Sequence, residues 1–269
     1  MFVSQLFIKS MSLLKGFLVQ CDVIKALVLR EARTRFGNNC LGFLWAFIEP
    51  IICIITFYGV FYFLNRSTFY GSNIISFITT GLIPFMLFRQ ITIAAMNAID
   101  ANKALLFYPQ VKLLDLIIAR SLLEIGTIVS VFIVLMLLNC IYINNFQIDN
   151  PLNVLMALFT TGFFAMSCGL IFSGLSIYSD TVKRVVPPVI RVLFYISGIF
   201  FSISSLSNNL KSILLINPIL HLVEMLRSGW FITYESNEYS CRYVLYISIY
   251  LTFIGLALLN FSKNKLELT

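Results

Sequence analysis

The chain has 269 residues, of which 59% are hydrophobic, 15% aromatic and 12% charged, with a mean hydropathy of +0.91 and a formal charge of +7. A soluble domain carries about 25% charged residues, so a soluble enzyme or nucleic-acid-binding domain is excluded. Several long apolar runs, in place of short alternating segments, make the chain an all-α polytopic membrane protein and exclude a barrel.

Residues 1–40 precede the first long apolar run. Leu13, Leu14, Phe17, Leu18, Cys21, Ile24 and Val28 share one helical face, with Lys15 and Asp22 opposite. This pattern predicts an amphipathic helix in the membrane interface. Lys9 and Lys15 interrupt the apolar stretches and no small-residue cleavage site follows, so the start does not read as a signal peptide. Arg30, Arg33 and Arg35 then cluster just before the first span. Such a cluster is retained in the cytoplasm and lies beside anionic head groups. Trp45 sits one turn into the span, where an amphipathic ring prefers the interface. Glu49 and Pro50 follow, and an ionisable group at that depth usually has a role.

About 20 apolar residues cross the hydrocarbon core. Six crossings are predicted, at about 41–64, 74–96, 115–143, 151–178, 189–206 and 242–261. They form one transmembrane domain over 41–269 after the N-terminal segment 1–40. With both termini in the cytoplasm, thirteen of the nineteen Lys and Arg fall in cytoplasmic segments and four outside, with Arg89 and Arg120 within spans. That asymmetry sets the orientation.

Pro84 in the second span permits a kink, and Arg89 is expected to snorkel toward the cytoplasmic end. Residues 98–111 link spans two and three and predict a short helix stopped at Pro109. Arg120 and Glu124 are four apart in the third span and are expected to pair on one helix face. Gly162, Ala165, Gly169, Ser173 and Ser176 give the fourth span a small-residue face for close packing, within the subunit or against a second copy. Residues 180–188 read as a basic cytoplasmic loop with two prolines.

Residues 210–230 lie outside by topology yet are largely apolar, too short and interrupted to span, and so predict a re-entrant segment broken at Asn217-Pro218. His221, Glu224 and Arg227 follow at three-residue spacing, placed either to line an exit or to brace the fold. Aromatic clusters in the first and fifth spans suit sugar stacking, but lipid or core packing is the first reading for any single ring.

The chain has no G-x-x-x-x-G-K-[ST] loop, so it does not bind ATP by that route. A single histidine leaves no metal site or triad, and no catalytic residue is assigned. The six cysteines show no C-x-x-C spacing, and no disulfide is expected. Six spans are few for an enclosed path, which points to two copies about a two-fold axis.

Four stretches carry a resemblance. They are R-E-x-R-T-R-F-G followed by L-G-F-L-W-A-x-x-E-P at 30–50, G-L-I-P-F-M-L-F at 81–88, I-x-A-N-x-x-L-x-x-Y-x-x-V-K with I-I-A-R-x-L-L-E over 99–124, and N-P-x-x-H-x-x-E-x-x-R at 217–227. In this order they resemble the inner-membrane permeases of ABC exporters of the type-two fold, in the branch that exports capsular polysaccharide. The resemblance implies a transport subunit with no enzymatic activity or cofactor of its own. ATP and magnesium would be bound by two copies of a cytoplasmic ABC ATPase paired with a homodimer of this chain. It implies a coupling segment at Ala98, Asn102, Leu105, Phe107, Tyr108 and Pro109. It implies a cytoplasmic substrate side at Arg30, Arg33, Arg35, Trp45 and Glu49, and periplasmic re-entrant helices carrying Asn217, His221, Glu224 and Arg227. The cargo would be a lipid-linked acidic polysaccharide, handed to a periplasmic adaptor and an outer-membrane exporter, in a bacterial inner membrane. Export of O-antigen or teichoic acid is the alternative within the class. A membrane enzyme acting on lipid-linked sugars, or a structural scaffold, is the alternative outside it.

Overall fold

The computed structural model describes residues 2–37, 40–64, 73–143, 148–232, 234 and 238–266. The interface positions Leu13 and Leu14, the start of the apolar run at 38–43, and Arg66, Lys263 and Lys265 lie outside the described side chains. Every regular element among the described residues is helical. They are α1 (Phe2–Phe36), α2 (Cys40–Phe63), α3 (Ile74–Met96), α4 (Ala98–Ala101), α5 (Leu113–Ile143), α6 (Pro151–Tyr178), α7 (Thr181–Ile196), α8 (Asn208–Leu214), α9 (Pro218–Trp230) and α10 (Cys241–Leu266). Two 3-10 turns, Lys103–Phe107 and Ile203–Ser205, are also present among the described residues.

Among the described residues, five helices are long and apolar enough to cross a membrane: Leu44–Phe63, Ile74–Met96, Leu113–Tyr142, Pro151–Tyr178 and Cys241–Ser262. Helix α3 is the axis of the bundle. Its residues from Ser76 to Phe88 are all buried, against α5, α6 and α9. By contrast α2 and α10 leave most of their surface uncovered. Small residues set the closest approaches. A Cβ at Gly169 would fall 2.5 Å from Ala95 Cβ on α3, and one at Gly255 2.7 Å from Leu170. Thr92 donates to the Ala165 carbonyl at 3.3 Å and Ser176 to that of Met96 at 3.5 Å. The small-residue face of α6 therefore packs largely inside the subunit, with Gly162 against Ile125 of α5.

Asn-Pro starts two helices. Asn150 accepts from the amides of Leu152 and Asn153, and Asn217 from that of Ile219, each with proline at the first helical position. The side-chain oxygen satisfies amides that the first turn leaves orphaned, and proline has no amide to lose.

The fifth predicted crossing differs from expectation. The segment 180–188 is helical from Thr181, not a loop, and α7 runs through Pro187 and Pro188 before stopping at Ile196. The prolines free the carbonyls of Lys183 and Arg184, which lie near the exposed end of the helix where water can reach them. Sixteen residues extend about 24 Å, and α7 is not among the described helices that are long and apolar enough to cross a membrane; residues 197–206, irregular but for the 3-10 turn, follow it. Gly198 turns the chain there with φ +74°.

Helices α8 and α9 meet at 108°. Lys211, in α8, pairs with Glu238, after α9, at 2.7 Å, so the hairpin begins and ends at one level. The last turn of α9 meets the start of α6, where the Asn150 amide donates to the Gly229 carbonyl at 2.9 Å. Together α8 and α9 are apolar enough to form one span broken at the bend, or a re-entrant loop.

Candidate functional site

A cavity of about 830 Å³ opens at the end of the bundle that carries the C-terminal turns of α1. Its walls come from α1, α2, α3, α5 and α7. Four arginines (Arg35, Arg89, Arg120 and Arg191) and three glutamates (Glu31, Glu49 and Glu124) line it. Three of the arginines are paired, each across two helices. Arg35 pairs with Glu124, Arg89 with Glu49, and Arg120 Nε with Glu31 at 3.2 Å. The fourth, Arg191 on α7, has no carboxylate within ion-pair distance among the described residues. The site therefore keeps one surplus positive charge.

Two expectations are corrected here. Arg120 and Glu124 do not neutralise each other along α5; both reach α1. A helix i,i+4 pair is worth only about 0.3–0.5 kcal/mol, and α1 lies alongside α5 through Leu27, Val23 and Val28, which puts opposite charges within reach. Arg89 is not free to snorkel; it is held by Glu49 of α2. The side chains of Arg89 and Glu49 are 34% and 50% exposed, so this pair sits at the mouth and remains wet.

Phe85, Phe194 and Tyr195 supply the cavity's aromatic wall. Phe85 and Phe194 pack edge-on at 5.1 Å, and behind the wall Phe57 and Phe200 pack on Phe194 and on each other with centroids 4.2–5.9 Å apart. Polar atoms also remain without partners: Glu124 Oε2 and Gln90 Oε1 are buried and unbonded. The space thus offers cations at its mouth, with buried unbonded acceptors and ring faces deeper in its lining. It suits a ligand with an anionic head and hydroxyl-bearing rings.

The segment 98–111 lies beside the mouth. It is not one short helix but a four-residue α-turn followed by a 3-10 turn. Ala98 and Ile99 are buried and anchor it in a core of α1, α5 and α6 residues. Asn102 is the pin. It donates to Glu31 Oε1 at 2.6 Å and accepts from Arg30 Nη1 at 3.2 Å. Leu105 packs against the same core, whereas Phe107 and Tyr108 are 89% and 63% exposed and Pro109 is exposed. Two large rings held out on a braced turn form a knob that a second protein can take up. Asp100 pairs with Lys183 of α7, and Lys183 bonds Asp180 at 2.9 Å. The hydrogen bond to Asp100, with that to Asp180, holds the Lys183 ammonium above the usual lysine range, and the same lysine holds Asp180 below the usual carboxylate range.

Of the other residues singled out in the sequence, Arg33 is exposed on α1 and Trp45 is 69% exposed on the outer face of α2. Neither lines the cavity. At the re-entrant element every singled-out side chain is engaged within the fold. Asn217 caps α9 and donates to Ser197 Oγ at 3.1 Å. His221 Nδ1 accepts from the Ser240 amide at 3.1 Å, which leaves Nε2 to donate to the Leu215 carbonyl at 2.8 Å. Arg227, fully buried, donates to the carbonyls of Gly198, Phe201 and Ile199 at 2.7–2.9 Å and lies over the Phe77 ring. Glu224 accepts from Tyr234 Oη at 2.6 Å and from the Ile203 amide at 3.3 Å, with Arg227 at 3.6 Å.

Sequence reasoning did not assign Glu31, Arg89, Arg120, Glu124 and Arg191 to a site. Three of them were visible as charges inside apolar spans, which is itself a functional signal. Arg191 was hidden by the reading of its helix as a loop and a separate span.

A polytopic helical bundle with a charged cavity at one end, a braced knob beside it and the bent α8–α9 pair is the architecture of a membrane transport subunit. The chain belongs to the ABC-2 type transporter family, whose model matches residues 22–231. It is 37% identical to the polysialic acid transport protein KpsM of Escherichia coli, over 90% of this chain and 94% of that one. It is 33% identical to the capsule polysaccharide export inner-membrane protein CtrC of Neisseria meningitidis, over 94% and 96%. Against BexB of Haemophilus influenzae, of the same description, it is 34% identical over 91% and 93%.

Proposed function

We propose that this chain is the permease of an ABC exporter that moves capsular polysaccharide, carried on a lipid, from the cytoplasm across the inner membrane. The observation that carries the reading is the cationic cavity with aromatic walls, flanked by an exposed aromatic knob, in a chain similar over nearly its whole length to named capsule exporters. In this reading the cavity end faces the cytoplasm, with both termini there, because Arg30, Arg33, Arg35, Lys103, Lys112, Lys183 and Arg184 gather at it.

Two copies stand about a two-fold axis, and two copies of a separate ATPase, which supply ATP and magnesium, dock on Phe107, Tyr108 and Pro109. The uncovered faces of α2 and α10 meet lipid or the second copy. Arg191 and the mouth pairs meet the acidic head of the cargo, and the Phe85, Phe194 and Tyr195 wall meets its sugar rings. The re-entrant residues Asn217, His221, Glu224 and Arg227 brace the exit side and do not bind cargo. A periplasmic adaptor and an outer-membrane exporter receive the polymer.

The test is to delete the chain in an encapsulated host, restore it together with its ATPase, and locate the polymer. Surface polymer that requires both subunits, with polymer held inside when either is absent, is the expected result. Normal surface polymer after deletion refutes the reading.

A further inference from the structure

Helix α7 is fastened in an asymmetric way. Its C-terminal end is fixed, because Arg227 holds the carbonyls of Gly198, Ile199 and Phe201 just beyond it and Asn217 holds Ser197. Along its length Val186 and Ile190 are its buried side chains, and Val182, Leu193 and Phe194 pack partly on the core. Among the described residues, the one polar tie from its first two turns to another element is Lys183 to Asp100. Asp100 lies in the α-turn directly before the 3-10 turn that ends in the exposed rings of Phe107 and Tyr108, and α7 carries Arg191, Phe194 and Tyr195 on the cavity wall.

The geometry points to Asp100–Lys183 as the strut by which displacement of the 98–109 segment moves the N-terminal end of α7, and with it Arg191 and the aromatic wall of the cavity. Asp100 and Lys183 are positioning residues; neither touches cargo. The inference rests on the reading that the 98–109 segment meets the motor.

Two other contacts define the controls. Asp180 also bonds Lys183, but from the same turn, so it transmits nothing between elements. Lys103 also pairs with Asp100, at 3.4 Å, but within the same segment. The strut is partly exposed, at 39% for Asp100 and 24% for Lys183, so its loss should not unfold the subunit.

The experiment uses the full permease co-expressed with its ATPase and reads ATP turnover in the purified complex beside polymer at the surface of the same cells. Asp100→Asn and Lys183→Met should each keep complex formation and ATP turnover near wild type while export falls by about fivefold or more. The double variant should be no worse than either single, because both break one link. Lys183→Arg should restore export, and Asp180→Asn and Lys103→Gln should leave it unchanged. Normal export in both single variants, additive losses in the double, or a loss of ATP turnover that tracks the loss of export each overturns the strut. Failure of the underlying reading looks different: Phe107→Ala would then leave the complex assembled and export normal.

Discussion

Replacing Arg227 with methionine removes a fully buried guanidinium that makes three hydrogen bonds to carbonyls within 2.7–2.9 Å. Those carbonyls belong to the irregular turn after α7, which has no helical ladder to satisfy them. The same change leaves the Glu224 carboxyl buried without its basic neighbour. Breaking a buried pair by removing one partner costs about 3–5 kcal/mol, and each stranded carbonyl adds up to ~1 kcal/mol or more, less than additively. Working from about 4 kcal/mol, and from roughly 2–4 °C per kcal/mol for a chain of this size, the melting temperature in detergent should fall by about 10 °C. Adding Glu224→Gln should recover part of that loss, since the stranded acid is then neutral. Thermal unfolding followed by size exclusion measures both. A fall of less than about 3 °C for Arg227→Met, or no recovery in the double variant, refutes the brace.

Gly198→Ala should lower folded yield markedly, because φ is +74° and the new Cβ would lie 2.3 Å from Leu220 Cδ1; wild-type yield and melting temperature would contradict this. Glu49→Gln should cost less than about 1 kcal/mol in stability, since the pair is half exposed, yet reduce export by freeing Arg89 at the cavity mouth; a large melting shift with normal export would reverse the assignment. Phe107→Ala should leave the melting temperature unchanged and weaken ATPase association in pull-down, as expected for a side chain that is 89% exposed. Lys183 has a raised pKa, so its contribution is complete below the unfolded value of 10.5 and is lost only as pH rises through the folded value. Asp180 has a lowered pKa, so its contribution is complete above 3.8 and is lost only as pH falls through the folded value. Export per ATP should therefore show no titration from these groups between about pH 5 and 9, and its abolition by Lys183→Met of a step near neutrality would contradict that.

What the sequence determined by itself is local. Apolar length marks α2, α3, α5, α6 and α10 as spans, because about 20 residues must cover the hydrocarbon with every backbone group bonded internally. Asn-Pro marks the starts of α6 and α9, because capping is decided within one turn. The break between α8 and α9 was legible for the same reason, as an apolar stretch interrupted at Asn217-Pro218. Only the tertiary structure decided where the charges go. Arg89 lies forty residues from Glu49 in sequence, and Arg35 eighty-nine from Glu124. Sequence spacing suggested Arg120 with Glu124, yet the approach of α1 to α5 offered each a partner in a less solvated place. The course of α7 through two prolines was likewise settled by its surroundings, since the freed carbonyls lie where water can reach them. Charge pairing follows distance in space, which the order of residues along a chain does not encode, whereas helix length and capping follow the order of residues directly.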